Sequence, residues 1–508
     1  MRFPLPGEFS LELVRYYNSF NERTSGFGKG WELSSSSLYF PRKRACLRWK
    51  EKNIVKEAFP EIFVSEEGRE FRYILQGLDI QSLPVYQTDG MTAVLIEQEN
   101  GSFVLRKEGI EMFFDGGGKL IRKVDKQGQS IEYTYDNGRL IAMIHQNGKK
   151  IQLEYQNERI VRSVSPGGKV IYYQYDGNGQ LYSVTDQVGP IVFYGYDSEK
   201  NLNAIYDAKK RTVFEAAYDN YHRAVTVTSG KTEINRQFSL KDHAAQIQGP
   251  NHIEVFNQYD SNYRLLRSND SLGRSVEISY QKDILQPTLI KDSFGHEAKY
   301  GYDSRGNLCS IKNGAGVEER FWYDTSNRLV AAMDGRKRAE IYLYDEKGRL
   351  KCFFPYSTLI GEDPITGQTS FHYEIIEAIE YELDDQTGAV TVIKKGNELA
   401  KIFSYDTEGR VVEISDPYGY KIRRKYDERS RLTSIRDTEG GFEYTYNERD
   451  QVVKIASPVG NVSYDYDEVG NLIYIKDDNG NKTYLEYDEN YNLIKIIDAE
   501  GGARNSIS

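Results

Sequence analysis

Paired carboxylates, scattered histidines and three thiols are the residues in this chain that could do chemistry. Asp384-Asp385 and Asp477-Asp478 are neighbouring acids of the kind that can share a proton or hold a cation. Both pairs fall at turns that recur along the chain, and turn chemistry, in which an aspartate bonds its own backbone, is their plainer use. The six histidines, His145, His222, His243, His252, His296 and His372, lack metal-ligand spacing, and only a pair nine residues apart could meet across a turn. Cys46, Cys309 and Cys352 have neither metal spacing nor an even count, so three isolated thiols are expected. No glycine-rich phosphate loop and no Gly-x-Ser-x-Gly elbow is present. The residues thus predict no catalytic, cofactor-binding or metal site. The many tyrosines between turns could form a sugar-binding groove, but their regular period makes them structural first.

That period organises everything else. Tyr302-Asp303-Ser-Arg-Gly306-Asn307-Leu308, Tyr323-Asp324-Thr-Ser-Asn327-Arg328-Leu329 and Tyr344-Asp345-Glu-Lys-Gly348-Arg349-Leu350 repeat one phrase at intervals of 21 residues. Around Tyr466 the full unit reads Tyr464-x-Tyr466-Asp467-x-x-Gly470-Asn471-Leu472, then Ile475-x-Asp477-x-x-Gly480. Asp-x-x-Gly occurs twice per unit, and glycine supplies a positive φ cheaply at a turn. Short runs of Tyr, Ile, Val and Phe between the turns suit strands, and a unit this short predicts a β-hairpin joined to the next by a second turn.

From Phe114-Asp115 the register passes through Tyr135, Tyr155, Tyr175, Tyr196, Tyr218, Phe238, Tyr259, Tyr280, Tyr302, Tyr323 and Tyr344, each 20 to 22 residues after the last. It resumes at Tyr405, Tyr426, Tyr446, Tyr466 and Tyr487. The residues expected to carry the repeat are Tyr135-Asp136, Tyr175-Asp176, Tyr302-Asp303 with Gly306, Tyr323-Asp324, Tyr344-Asp345 with Gly348, Tyr405-Asp406, Tyr426-Asp427, Tyr466-Asp467 with Gly470, and Tyr487-Asp488. Four segments follow: residues 1–105 before the repeats, repeats over 106–350, degenerate repeats with an irregular excursion over 351–400, and repeats over 401–508 that stop within a unit. About 19 units of two strands, at ~4.8 Å per strand, give a ribbon of roughly 180 Å, and strand handedness makes it coil. Leu472 and Ile475 are three apart and would face opposite ways in a plain strand. Either a bulge intervenes or both faces are partly covered.

Forty tyrosines and 28% charged residues describe a thin wall with much surface for its mass. The net charge of -10 argues against nonspecific nucleic-acid binding. No apolar run reaches the ~18 residues of a membrane span. The opening Met1-Arg-Phe-Pro-Leu-Pro-Gly7 lacks the apolar core of a signal peptide.

The opening also carries Arg15-Tyr16-Tyr17-Asn18-Ser19 and Gly28-Lys29-Gly30-Trp31. With the Tyr-Asp-x-x-Gly register, these resemble the N-terminal segment and YD repeats of bacterial Rhs proteins, across about four-fifths of the chain. The resemblance implies an all-β sheet of tandem hairpins spiralling into a hollow shell. It also implies a scaffold that encapsulates the toxin of a polymorphic toxin system used between competing bacteria, with the toxin domain itself absent here. It implies no enzymatic activity and no cofactor for the shell, and a toxin domain or a continuing Rhs chain as partner. The location would be secreted or cell-surface by a route not encoded here, with the cytoplasm before delivery. Asp416-Pro417-Tyr418-Gly419 echoes the family's element near a self-cleaving aspartyl site. Ordinary repeats follow it, so that cleavage region is not expected. The alternatives are an extracellular adhesion or carbohydrate-binding protein, or a fragment orphaned from its toxin. Because the register stops half a unit after Asp498-Ala-Glu-Gly501, either a longer chain or a partner supplying further strands is expected.

Overall fold

The computed structural model describes every residue except 1, 5–9, 50–53, 80, 89–92, 108, 126–127, 230–231, 240–241, 250–251, 262–263, 282–285, 304–306, 326–327, 363–368, 372–377, 397, 489–490 and 506–508. Among the described residues the fold is all-β without α-helix, and one antiparallel sheet of 43 strands holds nearly all of it. Consecutive strands pair in chain order from Glu61–Glu66 onward. Each strand rests on the one before it because each turn is too short to reach elsewhere.

The sheet begins by curling on itself. Ser37–Tyr39 pairs with Glu61–Glu66 on one side, and on the other Ser37 bridges to Lys119 while the Leu38 amide donates to the Gly118 carbonyl at 2.8 Å. This closes a small ring of strands around Ile62, Val64, Tyr73, Tyr86, Leu95, Phe103 and Phe114, all buried. The sequence predicted further hairpins here; closure depends on a backbone contact between segments far apart in the chain, which carries no local sequence signal.

Beyond the ring the sheet opens. Residues 11–33 lie across one face of the strands between Ser130 and Asp207, where Leu11, Leu13, Phe27 and Trp31 pack on Ile131, Ile151, Ile171, Tyr173 and Leu181. From Thr212 on, buried apolar side chains are few, among them Ala245, Ala331, Met333 and Ile341. The accessible surface of 29855 Å² exceeds the roughly 19,000 Å² of a compact monomer of this mass. The protein is a wall, not a globule.

The spacing of Leu472 and Ile475 has a bulge as its cause. Tyr466 faces Leu472 while Asp465 faces Tyr474, which leaves Ile473 as an extra residue on the second strand. Tyr464 then faces Ile475, so all four side chains share one face. The same slip occurs at Tyr135, Tyr175, Tyr302, Tyr323, Tyr344, Tyr405, Tyr426 and Tyr487. Phe238, where tyrosine is lost, pairs without it. The irregular region contains a 13-residue strand, Leu350–Glu362, that pairs outward with Thr369–Phe371 and also with Ile379–Leu383, so the sheet continues past the excursion. Pro364, Gly367 and Tyr373 lie outside the described residues.

Candidate functional site

Each repeat is held by a set of contacts in which every residue of the phrase has a part. The aspartate amide donates to the carbonyl four residues on, as Asp345 to Arg349 at 2.9 Å, and the residue three on donates back to the aspartate carbonyl, as Gly348 to Asp345 at 2.9 Å. The carboxylate Oδ1 accepts the amide four residues on, as in Asp303–Asn307, Asp324–Arg328, Asp345–Arg349, Asp406–Arg410, Asp427–Arg431, Asp467–Asn471 and Asp488–Asn492. Asp176 accepts from Asn178 and Gln180 in the same way. Asp136 sits at a tighter turn, opposite Arg139, with Asn137 at φ 46°. Gly348 and Gly470 adopt φ of 84° and 96°. Gly306 and Asn327 lie outside the described residues.

The tyrosine links one unit to the last. Its hydroxyl donates to a backbone carbonyl 14 or 15 residues earlier: Tyr135 to Leu120, Tyr175 to Ile160, Tyr302 to Pro287, Tyr344 to Leu329, Tyr405 to Val390, Tyr426 to Val411 and Tyr466 to Val452. Burial raises the pKa of Tyr135, Tyr175, Tyr302, Tyr405 and Tyr466, and that of Tyr155 is pushed up to about 12 despite the nearby Arg139. Burial also raises Tyr323 and Tyr487, which face Leu329 and Leu493 across their hairpins.

The position four residues after the aspartate has a role that sequence reading did not assign. Arg328, Arg349, Arg410 and Arg431 donate Nε to the other carboxylate oxygen of their own turn at 2.6–2.7 Å. Arg328, Arg410 and Arg431 also lie over the next tyrosines, Tyr344, Tyr426 and Tyr446, at 4.8, 4.9 and 4.7 Å from the ring centre. Asn307, Asn471 and Asn492 make the carboxylate contact without the stacking distance of an arginine. The signal was the recurrence of Arg or Asn before the leucine. Burial works against ionisation of Asp345, Asp406 and Asp427, yet the turn amides and arginines hold all three below the usual carboxylate range. They are poor proton donors near neutrality.

Of the other candidate groups, Asp416 forms an ordinary inter-repeat turn with Gly419 at φ 90°. Asp384 bonds its own turn through Gln386 and Thr387, and Asp477 does so through Asn481. His243 and His252 each occupy a turn with positive φ. Among the described residues no group of three or more His, Cys, Asp or Glu could hold a metal ion. Among the described residues no helix is long and apolar enough to cross a membrane.

The second feature is a seam. After one revolution the ribbon returns to itself, and the inter-repeat turns of one level meet the Tyr-Asp turns of the next. Gln129 donates to the Thr387 carbonyl at 3.2 Å, Lys149 pairs with Glu408 at 2.6 Å, Lys169 with Asp450 at 3.0 Å and Lys209 with Asp467 at 3.1 Å. Arg449 donates to the Pro190 carbonyl at 3.2 Å and approaches Asp186 at 3.6 Å, and the Tyr491 hydroxyl contacts Asp207. These partners stand 258 to 284 residues apart in the chain. Roughly 24 strands separate them, which at ~4.8 Å each gives a circumference of ~115 Å and a diameter of ~37 Å.

Comparison with known proteins follows the same lines. The family described as Teneurin YD-shell matches residues 373–507, and a domain of unknown function, DUF6531, matches residues 2–53. No curated protein matches. A crystal structure of TcdB2-TccC3 without its hypervariable C-terminal region is similar at 11% identity and TM-score 0.38, over 93% of this chain and 33% of that one. The Tc holotoxin pore of Photorhabdus luminescens is similar at 12% identity and TM-score 0.38, over 97% of this chain and 34% of that one. The chain thus spans about a third of the length of these structures. The Tyr-Asp register on either side of residues 351–400, the hairpin sheet and the two family matches support an Rhs/YD-repeat protein.

Proposed function

We propose that the protein is a structural wall segment of a hollow shell that encloses a polypeptide passenger, a toxin domain delivered between competing bacteria. The observation that carries this reading is the seam: a sheet that only needed to display tyrosines would have no use for rims that meet after a full revolution. Subtracting a sheet thickness of ~10 Å from the ~37 Å diameter leaves a bore of ~27 Å. That space holds an extended or partly folded chain more readily than a 100-residue domain, whose radius of gyration is ~13 Å. The excess accessible surface supports the same reading, since a wall presents two faces. The activity is mechanical: the wall separates its contents from protease and cytoplasm. Release from a producing cell follows from that role.

The test joins a short unfolded reporter segment to the C-terminus of the full chain and follows its digestion by trypsin. The enclosed reporter is cut at least ~10-fold more slowly than the free one. Combining Lys149→Glu, Lys169→Glu and Lys209→Glu, which sets like charges across the seam, restores fast cleavage. A reporter cut as fast when attached as when free overturns the reading.

A further inference from the structure

The junction of three parts of the chain holds a cavity of about 470 Å³. Leu13, Val14, Arg15 and Trp31 of the N-terminal segment form one wall, and the turn at Ser165–Lys169 with Ile171, Tyr173, Val184, Ile191 and Tyr194 forms a second. Arg429 and Asp450, from the next level of the spiral, form the third. Its size is that of a site for a small organic molecule.

The charges around it do not balance. Asp450 is the one carboxylate on the wall, and it already serves three cations: Lys169 at 3.0 Å, Arg431 at 3.0 Å and Arg429 at 3.5 Å. Arg15 has no carboxylate within ion-pair distance among the described residues. Its guanidinium lies 5.6, 5.3 and 5.9 Å from the ring centres of Phe27, Tyr173 and Tyr194. Nη2 donates to the Tyr194 hydroxyl at a long 3.4 Å, and Nη1 is buried with no hydrogen-bond partner. Arg349, by contrast, bonds both a carboxylate and a carbonyl. Three rings fix the orientation of the Arg15 fork and leave Nη1 without a partner, which in a buried group is costly.

The geometry points to a binding site in this cavity for a small organic anion with a flat apolar body, its carboxylate received by Arg15 and its body by Trp31, Ile171 and Ile191. A planar carboxylate fits the guanidinium fork in a way that a hydroxyl or a cation does not. Because the walls come from the N-terminal segment and two levels of the spiral, a bound ligand fastens the three together. The seam then becomes more stable when the site is filled.

Indole-3-acetate is the probe, and its neutral amide is the control of equal shape. Calorimetric titration of the full chain gives saturable binding of the acid with Kd of ~0.1–1 mM, the range of a ligand of about a dozen heavy atoms. The amide binds at least ~10-fold more weakly, since it loses the charge-assisted bonds. Arg15→Gln removes the preference for acid over amide. Ile191→Trp, at a site 41% exposed, fills the cavity from its open side and abolishes binding of both without touching the fork. Equal binding of acid and amide, wild-type binding by either variant, or no heat and no melting shift at about ten times that Kd each overturn the assignment. Should Arg15→Gln fail to fold, the acid–amide comparison and Ile191→Trp decide alone. None of these readouts depends on a passenger, so the enclosure reading stands or falls separately.

Discussion

At the scale of single residues, the tyrosine hydroxyl and the turn glycine make separable contributions. Tyr344→Phe keeps the ring under Arg328 but leaves the Leu329 carbonyl without its 2.8 Å partner. The expected cost is about 1 kcal/mol, read as faster amide exchange in strands Leu329–Met333 and Arg338–Tyr344. Unchanged exchange would mean that water replaces the hydroxyl. At Gly348 an added Cβ would stand 2.7 Å from Arg328 Nη1, the movable end of a side chain, so backbone conformation sets the penalty. With φ at 84°, Gly348→Val loses ~1 kcal/mol or more. A variant that melts with the parent would refute that. These effects were legible in part: the tyrosine, aspartate and glycine announce themselves by spacing. The reach of the hydroxyl to another unit's carbonyl did not, because that contact crosses between strands.

At the scale of the hairpin, the bulge decides which side chains look the same way. Ile473 is the extra residue, and inserting one alanine opposite it, between Asp465 and Tyr466, restores plain pairing and turns Tyr466 and Leu472 away from the face of Tyr464 and Ile475. That face loses its leucine contact, at a cost of about 1.5–3 kcal/mol for a fully buried side chain and less for this half-buried one. Amide protection from Leu472 to Asp477 should fall while that of Lys421–Tyr426, two units away, is kept. Loss of protection along the whole sheet would show that the units do not act as near-independent neighbours. The number and type of hairpins could be read from Tyr, Asp and Gly alone, since turn geometry is local. The bulge left only an awkward three-residue spacing as its trace.

At the scale of the molecule, the seam is polar and therefore sensitive to medium. Burial works against ionisation of Asp467 and Asp207. The Asn471 amide and the Lys209 ammonium hold Asp467 low, and the Tyr491 hydroxyl and Arg211 do the same for Asp207. A carboxylate whose pKa falls on folding stabilises the fold above its unfolded value, near 4, and that contribution is lost as pH drops through the folded value. Small-angle scattering should give a constant radius from neutral pH down to about pH 5 and an expanded one below about pH 4. A radius unchanged at low pH would place the holding energy elsewhere, in the apolar packing of residues 11–33. The partly exposed pair Lys149–Glu408 should weaken as salt rises. Lys149→Glu is expected to open the seam and the added Glu408→Lys to close it, with the scattering radius as the measure.

The sequence by itself determined the hairpin, the period of about 21 residues, the turn residues and the family, because each is fixed by contacts within one or two units. It also determined that the sheet would be long and thin, since units this short cannot bury a core alone. Only the tertiary structure decided that Ser37 closes a ring with Lys119, that residues 11–33 cover strands up to Asp207, and that Lys149, Lys169 and Lys209 meet acids more than 250 residues away. The reason is cumulative twist. A rotation of about 15° per strand, unreadable in any one repeat, sets after two dozen strands which rim returns to which.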